Sequence, residues 1–507
     1  MTKIKYLSLT KGERKLVDLG NFFKNFGKGI VNFFKSIPNR LLKLWHKLCK
    51  PFDTLVEAWK KGSTGVKLNF FFMGFYQVTH HNIIRGVLYF LYEVVFIIFM
   101  IMVGGPYLGK LGSLGSFSQN DARYLVDVYE GETLSFVNGD FSFQILLYSI
   151  ITFILMIIFV ALWYFSIRDA KSLQDNWLVG KVSKDGQFFD DILNKDYHTL
   201  LLAVPMVGLV GFTVIPVVFM IIASFTNYSS RHFSLFDWTG FDNYGQFFSA
   251  TSNGSVGLST IFLQVLAWTM IWALIATFTN YFLGMAIALL INKKGIKLKK
   301  LWRTVLILTI AVPQFVSLLL INQMLSSNGI LTELFRSWGW VTAGKETFDN
   351  VMLARIIIII VNMWVGVPYT MLISSGLLMN IPEDLYESAR IDGASPFKMF
   401  SAITLPYMLF ITGPYLLSQF IGNINNFNII FLLSGGNPSM QLSSLGFGDV
   451  GKTDILITWI YKMSMTGDTK NFAVACALGV LVFVIIAIFS LISYGRSNAV
   501  KNEEDFQ

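Results

Sequence analysis

Residues Ile381 to Pro406, IPEDLYESARIDGASPFKMFSAITLP, form a polar and amphipathic island between two long apolar runs. Pro382 stands where a helix would begin, with Glu383 and Asp384 in the first turn, where the helix dipole favours acids. Asp392-Gly393 allows a sharp reversal, because glycine accepts positive φ. A second short helix should then run to Pro406, where the next apolar run begins. The pattern E-[SA]-A-x3-G-x9-I-x-L-P is filled by Glu387, Ser388, Ala389, Gly393, Ile403, Leu405 and Pro406. Two short helices around a tight turn, set between membrane-length runs, have the form of a docking element.

The flanks place that element in a membrane. The chain has 507 residues, of which 54% are hydrophobic and 14% charged, against about 25% charged in soluble domains. A helix needs about 20 apolar residues to cross hydrocarbon. Run length predicts eight spans, at 86–104, 143–167, 199–224, 263–291, 302–326, 352–378, 407–433 and 471–494. The first begins far from the start, so no cleavable signal peptide is expected. Placing the N-terminus inside leaves 31 of the 40 basic residues in the segments 1–85, 168–198, 292–303, 379–406 and 495–507. That asymmetry predicts N-in and C-in, with the Glu387 loop in the cytoplasm.

The net charge of +9 does not point to nucleic acid. Residues 1–85 hold 16 Lys or Arg among many Phe, Leu and Trp, which suits anionic lipid headgroups. Phe22, Phe23, Phe26, Ile30, Phe33, Phe34 and Ile37 recur at helical spacing, and Leu41, Leu44, Trp45, Leu48, Phe52, Leu55 and Trp59 follow after Pro38. Both stripes read as interfacial helices; a partner-binding arm is the alternative. Cys49 and Cys476 lie in unlike surroundings and predict no disulfide. The five histidines show no metal-ligand spacing, and His80-His81 reads as an interfacial pair.

Gly446-Phe-Gly-Asp-Val-Gly451-Lys452-Thr453 matches the nucleotide-binding pattern G-x4-G-K-[ST]. That pattern needs a preceding strand and a following helix. Here it falls outside, between the last two spans, so it is expected to be an exposed loop that holds no ATP. No nucleophile–base–orienter set appears. Of the intramembrane charges that would mark an ion-coupled carrier, the spans hold Glu93 and Arg355. Glu93, near a span end, is expected to snorkel or pair with a neighbour.

Uncharged polar residues are more informative. Gln419, Asn423 and Asn426 are spaced i, i+4, i+7, which places three amides on one face of a helix, with Gly422 beside them. Asn362, Gly366 and Tyr369 repeat that spacing in the preceding span, next to Trp364 and Pro368. Buried amides must find partners. They can line the path of a hydroxyl-rich neutral solute, or hydrogen-bond between helices.

At the Glu387 loop the chain resembles the EAA loop of binding-protein-dependent ABC importer permeases. From about Arg303 it is similar to the larger permease subunit of maltose/maltodextrin-type carbohydrate importers. The resemblance is carried by Ile360–Tyr369, the Glu387 loop, Asn423–Phe427, Ser434–Pro438, Thr453–Leu456 and Trp459–Tyr461, with Ser224–Tyr228 and Gly240–Tyr244 earlier. It implies an all-α polytopic fold of about eight transmembrane helices in the type I permease arrangement. It further implies a basic N-terminal segment 1–85, two leading spans in 86–198, a permease core over 199–494 with the coupling loop 381–406, and a tail 495–507.

The resemblance assigns Glu387, Ser388, Ala389, Asp392, Gly393 and Pro406 to ATPase coupling. It assigns Asn362, Val365, Gly366, Tyr369, Gln419, Gly422, Asn423 and Asn426 to sugar binding. It implies a second permease subunit, an ATPase dimer that binds ATP and Mg, an external solute-binding lipoprotein and no cofactor in this chain. Many Lys, Asn, Phe and Ile point to the plasma membrane of a Gram-positive bacterium. The chain departs from the family in having only about 38 residues between the third and fourth spans, and in Gln419 and Gly422. A glycine at 422 would widen the cavity for a longer oligosaccharide. The alternative function is an ion-coupled carrier for a neutral polar solute.

Overall fold

The computed structural model describes residues 52–115, 140–180, 193–194, 197–248, 258–293, 295–440, 449–466 and 470–494. Expectations for 1–51, including Cys49 and the Phe22–Ile37 stripe, and for the tail lie outside these residues. Among them the chain is helical, with two isolated bridges, Thr226 to Trp238 and Ser439 to Gly451. The main helices are α1 (Ile83–Phe99), α2 (Ser142–Leu178), α3 (Tyr197–Leu209), α4 (Leu258–Asn292), α5 (Lys299–Ala311), α6 (Gln314–Met324), α7 (Val351–Leu378), α8 (Glu383–Ile391), α9 (Leu405–Ile424), α10 (Phe427–Ser434), α11 (Leu456–Met465) and α12 (Phe472–Tyr494).

Seven helical runs are long and apolar enough to cross a membrane, and α5 with α6 makes an eighth if counted as one bent span. All eight fall where the apolar runs predict them. The fifth is not straight: α5 and α6 meet at 85°. Pro313 lacks an N–H and pushes the residue before it out of the helical region; Val312 has φ −79° and ψ 125°.

The chain divides into two units, 1–115 with 143–217 and 116–142 with 218–507. The division falls inside the third span. In the first unit, polar groups tie the segment 69–77 to α2. The Ser166 hydroxyl accepts from Asn69 Nδ2 at 2.9 Å and from the Gly74 N–H at 3.2 Å, and Gln77 Nε2 donates to the Ser166 carbonyl at 2.8 Å. Glu93 on α1 is buried and its Oε2 accepts the Met73 N–H at 2.7 Å. It pairs with a neighbour, as expected, and that neighbour is backbone. The helical segment 52–61 does not lie wholly on lipid: Leu55 and Ala58 pack against Ile167 and Ala170 of α2, while Phe52 and Trp59 stay exposed.

The second unit is built around α4. Its most apolar window is half buried within the chain, and α7 and α9 are its main neighbours. Small residues let the helices close up. A Cβ on Gly284 would lie 2.7 Å from Thr370 Cβ and 2.9 Å from the Met371 nitrogen. Trp272 is fully buried beneath α9 and donates from Nε1 to the Asn423 carbonyl at 3.0 Å.

Candidate functional site: a coupling loop and a polar membrane seam

The island at 381–406 folds as its residues direct. Pro382 precedes α8, and Glu383 and Asp384 occupy its first turn. Gly393 has φ +72°, which a residue with a side chain rarely adopts. Ser395 then caps a short helix, Pro396–Met399, by accepting the Lys398 N–H at 3.3 Å. The two arms are tied by Tyr386 Oη and Thr404 Oγ1, 2.8 Å apart. Glu387, Ser388, Asp392, Gly393 and Pro406 are exposed and Ala389 is half-buried. Apolar side chains also face outward here: Ile391 is 87% and Phe397 78% exposed. A rigid turn that presents both charge and uncovered apolar surface is built to be covered by something.

In the membrane, the predicted amides separate into two sets. α9 ends at Ile424, and Asn426 is the N-cap of α10, where its Oδ1 accepts from the Ile429 N–H. The expectation that Gln419, Asn423 and Asn426 share one helix face is therefore corrected. Asparagine competes with helical backbone hydrogen bonds and caps helices well, and the chain uses Asn425-Asn426 as a break. Asn423 is buried and its Nδ2 donates to Thr277 Oγ1 of α4 at 3.0 Å, which is the inter-helix bonding alternative. Asn362 is buried with its Nδ2 unpartnered among the described residues, and so is Asn280 Oδ1 on α4. Gly366 admits Asn280: a Cβ there would meet Asn280 Nδ2 at 2.2 Å.

The other members are accessible. Tyr369 is 50% exposed, with its ring 6.5 Å from that of Tyr415. Val365 and Gln419 are half-buried, and a side chain at Gly422 would meet open space. Tyr369 and Gly422 thus remain open surface and Gln419 partly so, while Gly366 and Asn423 lie in the seam against α4 and Asn362 is buried. Thr277 and Asn280 belong to that seam and went unread in the sequence. Isolated polar residues in an apolar helix carry no sign of which neighbour they meet.

The Gly446–Thr453 segment is not the exposed loop expected of it. Residues 446–448 lie outside the described set, but Val450, Thr453 and Asp454 are buried. The Thr453 carbonyl accepts from Trp268 Nε1 at 3.0 Å, and the Lys452 carbonyl accepts from Arg355 Nη2 at 2.9 Å. Arg355 also lies over the Trp268 ring, 4.0 Å from its centre. Asp454 pairs with Lys462 at 2.7 Å and accepts from Thr458 and the Gly451 N–H. Burial pushes the Asp454 carboxyl above the usual carboxylate range, and the Lys462 ammonium and these hydrogen bonds pull it back. Long-range partners bury the segment, and the local sequence names none of them.

Comparison with known proteins identifies the family. The family described as "Binding-protein-dependent transport system inner membrane component" matches residues 280–496. The galactooligosaccharides transport system permease protein GanP of Bacillus subtilis is 32% identical over 381 residues, covering 72% of this chain and 86% of the relative. The maltodextrin transport system permease protein MalC of Streptococcus pneumoniae is 28% identical over 449 residues, covering 85% and 95%. The maltodextrin transport system permease protein MdxF of Bacillus subtilis is 32% identical over 386 residues, covering 73% and 86%. With its membrane-length helices, its loop and these relatives, the chain belongs to the family of binding-protein-dependent transport system inner membrane components, as a multi-pass transport subunit and not an enzyme.

Proposed function

We propose that this permease carries an oligosaccharide of the maltodextrin kind inward, as one of two membrane-spanning subunits of an ATP-driven importer. The observation that carries the reading is the loop 381–406, whose exposed Glu387, Ser388, Asp392, Gly393, Ile391 and Phe397 suit a groove on a partner ATPase dimer. That partner binds ATP and Mg, and this chain needs no cofactor of its own. Asn362, Val365, Gly366, Tyr369, Gln419 and Gly422 form the sugar path, while Asn423 and Asn426, expected beside them from spacing, are engaged in the bond to Thr277 and the cap of α10. Open Tyr369 offers an aromatic face, and the amides offer donors and acceptors. Cargo arrives from an external solute-binding lipoprotein, in the plasma membrane of a Gram-positive bacterium. The basic segment 1–85 lies on anionic lipid.

The test is affinity purification of the tagged chain from its native membrane, compared with a Glu387→Lys, Gly393→Trp variant. A second permease and an ATPase should accompany the wild type, and the ATPase should be lost from the variant. A wild-type chain that purifies alone overturns the reading. The open space at Gly422 admits long oligosaccharides, so Gly422→Phe should slow their uptake more than that of maltose. Equal effects on both would refute that role.

A further inference from the structure

Beneath the coupling loop lies a cavity of about 750 Å³, within the roughly 300–1,000 Å³ of small-ligand sites. It is amphipathic. Leu289, Leu378, Met379, Ile381, Met399 and Phe400 supply apolar wall, and Asn292, Lys293, Asn380, Glu383, Tyr386 and Arg390 supply polar lining. Lys293 and Arg390 are exposed, and neither forms an ion pair among the described residues. Two neighbouring cations are engaged elsewhere: Arg303 donates to Asn292 Oδ1, and Lys299 Nζ donates to the Asn292 carbonyl at 3.1 Å. Asn292 Nδ2 in turn donates to Ser375 Oγ at 3.0 Å, which fixes the end of α4 against α7.

The cavity sits at the C-terminal ends of the membrane-length helices α4 and α7, where α8 begins. The lining holds two cations against one acid, Glu383, and this excess of positive charge beside apolar wall matches a molecule with an anionic head and an aliphatic body. We propose that the cavity binds an anionic phospholipid of the inner leaflet, its phosphate between Lys293 and Arg390 and its upper acyl carbons against Leu378, Met399 and Phe400. Basic pockets at the cytoplasmic ends of membrane helices take such headgroups. The site is built from the coupling loop itself, so bound lipid would brace α8 from behind. The proposal rests on the importer reading, because that reading places the loop inside.

The test uses the intact complex in nanodiscs of phosphatidylcholine. These carry a trace of either phosphatidylglycerol or phosphatidylcholine with a photoreactive acyl chain. Phosphatidylglycerol should label the peptides around 289–293 and 378–400 several-fold more than phosphatidylcholine. Lys293→Gln should halve that excess or better, and Lys293→Glu should abolish it. Millimolar inorganic phosphate should leave the labelling in place; its loss would mean a free-anion site and overturn the lipid. Equal labelling by the two lipids, or labelling indifferent to Lys293, would also overturn it. So would labelling that appears only when the ATPase is stripped away, since the partner would then fill the cavity. ATPase content of each sample is measured alongside. A wild-type complex that keeps its ATPase but labels without preference refutes the lipid site alone, whereas absence of the ATPase refutes the importer reading.

Discussion

Glu93 is a carboxylate inside a membrane helix, and its partner decides what it does. Its Oε2 holds the Met73 N–H at 2.7 Å, a bond that an amide oxygen can also accept. Glu93→Gln should therefore keep uptake near wild type, whereas Glu93→Ala strands a buried N–H and should cost about 1–3 kcal/mol, read as a lower thermal midpoint of the purified complex. Loss of uptake in Glu93→Gln with stability intact would revive a proton-coupled carrier. In the second unit, Asp454 and Lys462 form a pair with side chains 0% and 11% exposed. Removing one partner leaves the other charge buried, so Asp454→Ala should cost about 3–5 kcal/mol. Asp454→Ala with Lys462→Met should recover part of that loss. If the double variant is as unstable as the single one, the pair is not what holds the segment down. Gly436 belongs to the same cluster: with φ +84°, a Cβ there would fall 2.2 Å from an Asp454 oxygen.

At the scale of elements, apolar run length located every span, because the 20-residue requirement is a property of the bilayer and leaves a mark in any one sequence. The breaks inside spans were harder to read. Pro313 stood in plain view, but a lone proline kinks many helices without turning them through 85°. Gln419, Asn423 and Asn426 obeyed the helical period, yet Asn426 satisfies its own amide oxygen as a cap. Periodicity could not see that, and it also could not see that Asn423 would meet Thr277 across the seam. The α4–α7 seam gives an ordered prediction. At Gly284 a new Cβ would strike Thr370 Cβ and backbone, which cannot move aside, so Gly284→Ala should cost about 1–3 kcal/mol. At Gly366 it would strike the end of the Asn280 side chain, which can swing away. Gly366→Ala should thus leave stability closer to wild type and act mainly on sugar uptake. The reverse order of thermal midpoints would mean that the seam is slack at Gly284 and tight at Gly366.

At the scale of the whole molecule, the chain covers its membrane helices unevenly. The best apolar window of α4 is 50% buried and that of α7 44%, but the run Pro396–Ser434, which carries Gln419 and Gly422, is only 17% buried. A transport path cannot be closed by a wall left that bare, so the open side of α9 must face lipid or a second subunit. Under the importer reading, the end of that wall that would meet an ATPase depends on orientation, and here basic residues make the argument: 31 of 40 lie on the side assigned to the cytoplasm. Ser401, in the loop, and Ser337, in the Trp338–Trp340 connection, are both exposed and lie on opposite sides in that assignment. With Cys49 and Cys476 replaced by serine and alanine, Ser337→Cys should react with a membrane-impermeant maleimide in intact cells. Ser401→Cys should react only after the membrane is opened. The inverse pattern would put the Glu387 loop outside, beyond reach of ATP, and coupling through it would be physically impossible. Labelling of both in intact cells would mean that α7, the one candidate span between the two positions, does not cross.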